Sequence, residues 1–494
     1  VLELLPVNRG VKMFIRLRPD IMYRNYGSFG YITDNRNYEY RLLNAQHDDL
    51  GEIVVSKSGM VFLEVLDRRA KSLDQIVSEL KNVFKDEDTE SLRTDSLEFY
   101  TYLKEKGFID IAPTFEECCQ AKRMIYEFSS PIQSNADNNI GIQDYFESVF
   151  DGKPQLMQIH MEVVSECNER CIHCYIPHEN KDMAMDLRQC FDVLEQAREM
   201  QVLNITISGG EPLMHKDIVA ILHKCYENNF SVNLLSNLTM LNDEILSVMK
   251  ENPLISVQTS LYAVDDMIHD GITKTKGSCK KTKAAIEKLV DNGISVQISC
   301  PIMKQNLCYY REVIKWGRAR DINVNSDYVI IGQYNHSLDN LNCRLCIEEV
   351  NEVIQNDFKT DPNFENKLVK QQEKRRIQSG DDPVCGVCFS SLCVAPNGDI
   401  YPCAGWQGCR LGNIHETSLY DLWNESEKIT WLRGLHWSEF PQCMKCEDRD
   451  FCTMCLVRNA NEDRNGNPLN VCNYFCQVAK LYRKWFMSIQ KDRE

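Results

Sequence analysis

The chain has 494 residues, 43% of them hydrophobic and 26% charged, with a net charge of −16. That composition is ordinary for a globular protein, and the length allows two to four domains. The acidic balance argues against nucleic acid as the main partner, because phosphate binding needs clustered Lys and Arg. No apolar run approaches the ~18–20 residues that span a bilayer. The N-terminal stretch lacks a charged start followed by a long apolar run, so no secretory signal is read. A cytoplasmic location and no membrane partner are expected. The 23 cysteines are sparse before residue 165 and dense at 167–174, 385–409 and 443–476. Disulfides are rare in the cytosol, so dense clusters point to metal sites.

In chain order, residues 1–112 read as a winged-helix-like α+β unit. "KMFIRLRP", "GYITDN" and "YEYRLL" are short β-rich runs, and "GEIVVSKSGMVFLEVLD" is mixed. "SLDQIVSELKNVF" has helical spacing, with Ser72 as N-cap and Gln75 completing a capping box. "TDSLEFYTYLKEKG" is a second helix ending at Gly107, and "FIDI" follows as a strand. Residues 113–154 read as a connector, because "SSPIQSNADNNIGIQD" is rich in turn formers. From 155 to 335 strands and helices alternate: "LMQIHMEVV", "LNITISGG", "FSVNLLSN", "LISVQTSL", "ISVQISCPI" and "INVNSDYVI" are strands with amphipathic helices between them. This is the pattern of parallel βα units, here a partial (β/α)6 barrel in the α/β class. Residues 336–380 form a charged helical bridge, and 381–494 a Cys-rich C-terminal domain.

The stretch "SECNERCIHCYIP" places Cys167, Cys171 and Cys174 after the first of these strands. The C-terminal end of a barrel strand is where such folds put chemistry. Thiolates suit iron–sulfur clusters and zinc. A structural zinc site needs four ligands, and His173 or His178 would be the fourth. "ISGGEP" ends the second strand, and glycines there let a ligand approach the backbone. The Glu211 carboxylate is placed to accept an ammonium group.

The C-x3-C-x2-C spacing together with Gly209-Gly210-Glu211-Pro212 resembles the radical SAM enzyme family. The resemblance implies a [4Fe–4S] cluster on the three cysteines with one iron left to S-adenosylmethionine. One electron from the cluster then yields a 5′-deoxyadenosyl radical that abstracts a substrate hydrogen. It also implies SAM contacts from Gly209, Gly210, Glu211, Ser236 and Asn237 in "LLSN", Ser260, Asn306, and His173 before the third cysteine. "SLYAVDDMIHDGITKTKGSCKKT" resembles the same segment of peptide-modifying members.

The C-terminal cysteines resemble the SPASM extension of that family. Cys385 is followed by Gly398 and Cys403, then by Cys443, Cys446, Cys452 and Cys455, and later by Cys472 and Cys476. Two residues separate Cys452 from Cys455, where the family usually has three. The resemblance implies two auxiliary [4Fe–4S] clusters, three clusters in all. Cys385, Cys403 and Cys455, with Cys388 or Cys393, would hold the first. Cys443, Cys446, Cys452 and Cys472 would hold the second, with Cys476 as a rival for the last place. The Pro-Asn-Gly between "SLCVA" and "DIYPC" marks a hairpin.

The N-terminal unit resembles the recognition element of ribosomal-peptide (RiPP) maturases, which binds a precursor's leader as an added edge strand. The whole pattern implies a peptide maturase that forms an intramolecular thioether from Cys. A carbon–carbon cyclase and a sulfatase-maturase-like oxidase are the alternatives. A reductant such as flavodoxin or ferredoxin would be a partner. No acid or base residue is assigned.

Overall fold

The computed structural model describes residues 12–34, 40–42, 51–120, 126–128, 149–180, 182–360, 364–366, 368–369 and 379–491. The connector stretch "SSPIQSNADNNIGIQD" and most of "KLVKQQEKRRIQ" lie outside them.

The six expected core strands are Gln158–Val164, Asn204–Gly209, Ser231–Leu235, Ile255–Ser260, Ser295–Ser299 and Asn323–Asn325. They pair in chain order, all parallel. Right-handed crossovers put the connecting helices on one face of such a sheet. The strand pattern agrees. Ile159, Met161, Ile205, Ile207, Val232 and Leu234 share one buried cluster with the helical Leu194 and Ile221. The opposite face is polar and self-bonded: His160 meets Ser208, and Gln158 donates to Thr206 at 3.1 Å. This polar face lines the concave lumen of the partial barrel.

The C-terminal region does not stand apart as a separate body. Ser391–Val394 pairs in parallel with the first core strand, and Asp399–Tyr401 and Gly412–Asn413 extend the sheet to nine strands. The expected turn is present, with Gly398 at φ +81°. Without this hairpin the first core strand would be an open edge beside the cysteine loop.

The N-terminal unit has two three-stranded sheets. Met22–Asn25, Gly30–Thr33 and Glu52–Val55 form one. Phe14–Leu17, Lys71–Ser72 and Ile109–Ala112 form the other. Helices Lys57–Glu64, Leu73–Val83 and Thr89–Glu105 cover them, and the Ser72–Gln75 capping box is formed. The strands of this unit depart from the sequence reading. "MYRN" and "EIVV" are strands, whereas Tyr40–Leu42 pairs away from both sheets with Tyr126–Phe128.

This unit is locked to the N-terminal end of the core strands. Arg24 is fully buried. Its guanidinium donates to the Val202 carbonyl at 2.8 Å and the Asn229 carbonyl at 2.8 Å, and sits over the Phe230 ring. Asn229 accepts from the Tyr23 amide and donates to the Ile21 carbonyl. Met22, Phe29 and Tyr31 pack with Leu203 and Leu254. A buried cation is held only when its donors are satisfied, so the match of Arg24 to the two core carbonyls of Val202 and Asn229 fixes the docking.

Candidate functional site

Cys167, Cys171 and Cys174 follow the first core strand on one loop, all half-buried. The loop hangs on helix Asp266–Thr273 and its C-terminal turn. The Arg170 amide donates to the Thr273 carbonyl at 2.9 Å and the Ile172 amide to the Ile272 carbonyl at 3.0 Å. Thr275 donates to the Asn168 carbonyl. The segment "SLYAVDDMIHDGITKTKG" is therefore the bracket of the cysteine loop. Tyr262 in that bracket is buried; its hydroxyl lies 2.9 Å from His173 Nε2 and 3.9 Å from Cys171 Sγ. Sequence reasoning passed over Tyr262, which nothing but its place in that segment could have flagged. Burial, then Glu169, then the two sister thiols push the Cys171 thiol well above its ordinary range. A bound cation is what would hold such thiols as thiolates.

Gly209 and Gly210 are pressed against the start of the same loop. A Cβ on Gly209, at φ +131°, would lie 1.9 Å from the Val164 carbonyl oxygen. One on Gly210 would lie 2.2 Å from the Glu166 carbonyl oxygen. Glu211 is completely buried, and its carboxylate is already occupied. It accepts from the Leu213 amide at 3.0 Å, the Ser236 hydroxyl at 2.7 Å and the Asn237 amide at 2.7 Å. Through these bonds Glu211 ties the "GGEP" turn to the "LLSN" turn. The Asn237 side chain continues the tie to Asn168 at 2.9 Å. Ser236 is used within the same network.

Asn306 is likewise fully buried, donating to the Tyr262 and Pro301 carbonyls and accepting from the Met303 amide. It holds the loop after the fifth strand. Ser260 ends the fourth strand, half-buried on the lumen face.

The C-terminal cysteines gather in two sets. Cys385, Cys403 and Cys455 interact electrostatically with one another, and Cys388 with Cys385, Cys403 and Cys409. Cys388 adopts φ +60°, a left-handed backbone that turns it into this group. Cys393, on its strand in register with His160, also interacts with Cys403. Cys443 interacts with Cys446, Cys452 and Cys476. Cys472 is drawn elsewhere. Its thiol lies 3.1 Å from Glu462, which is paired with Arg344. The arrangement thus favours the rival Cys476 over the expected Cys472. Among the described residues no three His, Cys, Asp or Glu side chains converge on a single ion. Thiolate donor sets suit iron–sulfur clusters.

Residues 161–317 match the radical SAM superfamily, and residues 385–447 match the SPASM iron-sulfur cluster-binding domain. The chain carries a radical SAM domain followed by a SPASM domain. These domains imply SAM with a [4Fe–4S] cluster, and further iron–sulfur clusters in the C-terminal region. The subtilosin biosynthesis protein AlbA of Bacillus subtilis is 23% identical over 65% of this chain and 71% of its own. A PqqA peptide cyclase of Gluconobacter oxydans is 24% identical over 60% of this chain and 83% of its own. Streptococcus suis SuiB bound to the precursor peptide SuiA shares the fold, with a TM-score of 0.58 and 14% identity over 93% of this chain and 99% of SuiB. The enzyme anSMEcpe, bound to AdoMet and a peptide, overlays 69% of this radical SAM chain and all of its own, at 18% identity and TM-score 0.54. Among the described residues no helix is long and apolar enough to cross a membrane.

Proposed function

We propose that this radical SAM enzyme is a maturase of ribosomally made peptides, closing an intramolecular thioether from a Cys of its precursor. The observation that carries the reading is the docked N-terminal unit. It is a peptide-sized sheet fixed by Arg24 to a core whose cysteine loop and SPASM hairpin lie on one nine-stranded sheet. Similarity to proteins named for subtilosin biosynthesis and PqqA cyclisation supports peptide as the substrate class. The first cluster would rest on Cys167, Cys171 and Cys174, and SAM when bound would supply the hydrogen-abstracting radical. One auxiliary cluster would rest on Cys385, Cys388, Cys403 and Cys455, the other on Cys443, Cys446, Cys452 and Cys476. The chain's own part is to bind, orient and exclude water.

The leader would add to Glu52–Val55. The opposite edge, Met22–Asn25, is already sealed, since its Tyr23 and Asn25 amides donate to Asn229 and Gln201 of the core. A one-electron carrier such as flavodoxin or ferredoxin would reduce the first cluster. Carbon–carbon crosslinking is the second reading, favoured by the likeness to PqqA cyclases. A sulfatase-maturase-like role leaves the N-terminal unit without a task.

The test is anaerobic co-expression with the precursor encoded beside the enzyme, followed by mass spectrometry. A loss of two hydrogens per ring, with one thiol per ring no longer alkylatable, is expected. Two hydrogens lost with all thiols alkylatable would replace the thioether by a carbon–carbon bond. An unchanged precursor mass would overturn the crosslinking reading.

A further inference from the structure

The lumen is where a peptide residue must meet the radical, and its titratable groups are few. On the five strands after the first, every lumen-facing position from Asn204 to Asn325 is Ser, Thr, Asn, Gln or Leu. The first strand carries two ionisable residues on that face, His160 and Glu162. His160 is engaged with Ser208, and burial pushes its imidazole down to about 4. Glu162 lies one turn of the pleat nearer the cysteine loop. It is 3% exposed. Its carboxylate accepts from the Tyr175 hydroxyl at 3.3 Å and from Gln407 Nε2 at 2.6 Å. Tyr175 directly follows Cys174, and Gln407 comes from the SPASM loop after Cys403. The carboxylate thus stands between the cysteine loop and the first auxiliary set.

Behind it is a cavity of about 40 Å³, lined by Glu162, Ser165, Tyr334, Asn397, Tyr401 and Gln407 among others. That is enough for water, which needs roughly 10–15 Å³ and two or more polar partners. A lumen carboxylate beside a water-sized cavity whose wall is part polar and part apolar, with Ile176, Met183, Ala395 and Pro396 as its apolar side, has a neighbour able to take its proton onward.

We propose that Glu162 accepts the proton that leaves the peptide as the crosslink closes. The inference rests on the crosslinking reading above. Joining two atoms of one peptide with loss of two hydrogens has a fixed balance. One hydrogen would leave as an atom to the radical that bound SAM supplies. The other, on the thiol, would leave as a proton as the carbon–sulfur bond forms, and one electron would pass to an oxidised iron–sulfur cluster held by the cysteines. Radical and cluster account for the atom and the electron, and the proton needs a separate acceptor. Carbon–carbon closure has the same balance, with the proton leaving carbon.

Burial holds the Glu162 carboxyl up to about 7, against the opposing pull of Tyr175 and Gln407. The other titratable groups facing it are Tyr175, Cys393, Tyr401 and Cys403.

The test compares wild type, Glu162→Gln and Glu162→Asp, each reconstituted and checked for equal iron content. The readout is crosslinked product per 5′-deoxyadenosine formed, from pH 6 to 8.5. Gln keeps the shape and can still accept from Tyr175, but takes up no proton. We expect the ratio to fall at least tenfold in Glu162→Gln, with 5′-deoxyadenosine still accumulating, and to recover partly in Glu162→Asp. Should Glu162→Gln fail to load iron, Glu162→Asp decides by its ratio and by a displaced rise of that ratio with pH. A wild-type ratio in the variants overturns the assignment while leaving the maturase reading intact. A wild type that makes 5′-deoxyadenosine and no two-hydrogen product overturns the maturase reading itself.

Discussion

At the scale of single residues, the site rests on buried groups that tie its turns together. Glu211 joins two turns through three donors. Glu211→Ala would strand the Leu213 and Asn237 amides and the Ser236 hydroxyl in a buried place, at a cost of about 1–3 kcal/mol for each group left unpaired. A fall of several degrees in melting temperature together with loss of iron from the first cluster is expected, read by calorimetry and metal analysis. The same carboxyl has a pH signature. Burial raises it from 4.5 to about 7, outweighing its three hydrogen bonds. The unfolded chain therefore releases this proton first as pH rises. Stability from this group is full below about pH 4.5 and is lost as pH rises through about 7. The melting temperature of wild type, measured relative to Glu211→Ala, should shrink over that window. A gap that widens with pH would show that the three donors win over burial. The cysteines make a further residue-scale case. Cys476→Ala should remove about one cluster's iron and its spectral signal, whereas Cys472→Ala, whose thiol faces Glu462, should keep it. The opposite result would restore Cys472 as ligand.

At the scale of elements, the hairpin Ser391–Val394 to Asp399–Tyr401 is the hinge between the two chemistries. It pairs with the strand that launches the cysteine loop, so the loop's base has a neighbour on both sides. A chain ending at residue 380 would bare that strand's edge and part of the apolar core that Leu392, Ile400 and Trp423 share with Leu194. Such a truncation should lose iron from the first cluster as well as the auxiliary ones and should aggregate. A soluble core with a full first cluster would show the two regions to be independent. The strand–helix alternation was legible because each unit has its own periodicity and its own turn signals. The hairpin's turn was legible from Pro-Asn-Gly. Its parallel partner was not, because pairing across more than two hundred residues leaves no local trace. The same distinction runs through the site. Cys167, Cys171, Cys174 and "GGEP" are marked by local spacing. Glu162, Gln407 and Tyr262 meet only through tertiary contacts, although the alternation in "QIHMEVV" already put His160 and Glu162 on one face. The ties that Glu211 and Asn306 make to neighbouring turns were not legible, because sequence position names a turn and cannot say which way its side chain points.

At the scale of the molecule, the N-terminal unit and the cysteine loop lie at opposite ends of the core strands. Leu203 and Leu254, which pack against Met22 and Tyr31, precede the second and fourth strands. Gly209, at the other end of the second strand, touches the cysteine loop. The six residues Asn204–Gly209 span about 20 Å at ~3.3 Å per residue. On the maturase reading, a precursor whose leader lies on Glu52–Val55 must bridge at least that distance before its modified residue can enter the lumen. A peptide spacer of fewer than about six extended residues cannot reach. Shortening the segment between leader and crosslinked Cys should leave leader binding intact, measured by fluorescence anisotropy, while turnover falls away abruptly near that length. Loosening the dock should have a different signature. Arg24→Met removes a buried cation and leaves the Val202 and Asn229 carbonyls unpaired, so the unit should detach without unfolding the core. Leader affinity would then persist, 5′-deoxyadenosine formation would continue, and the short-spacer precursors would regain some turnover because the unit is no longer held at the far end. If Arg24→Met leaves the spacer cut-off unchanged, the dock does not set the distance, and the leader is seated elsewhere on the chain.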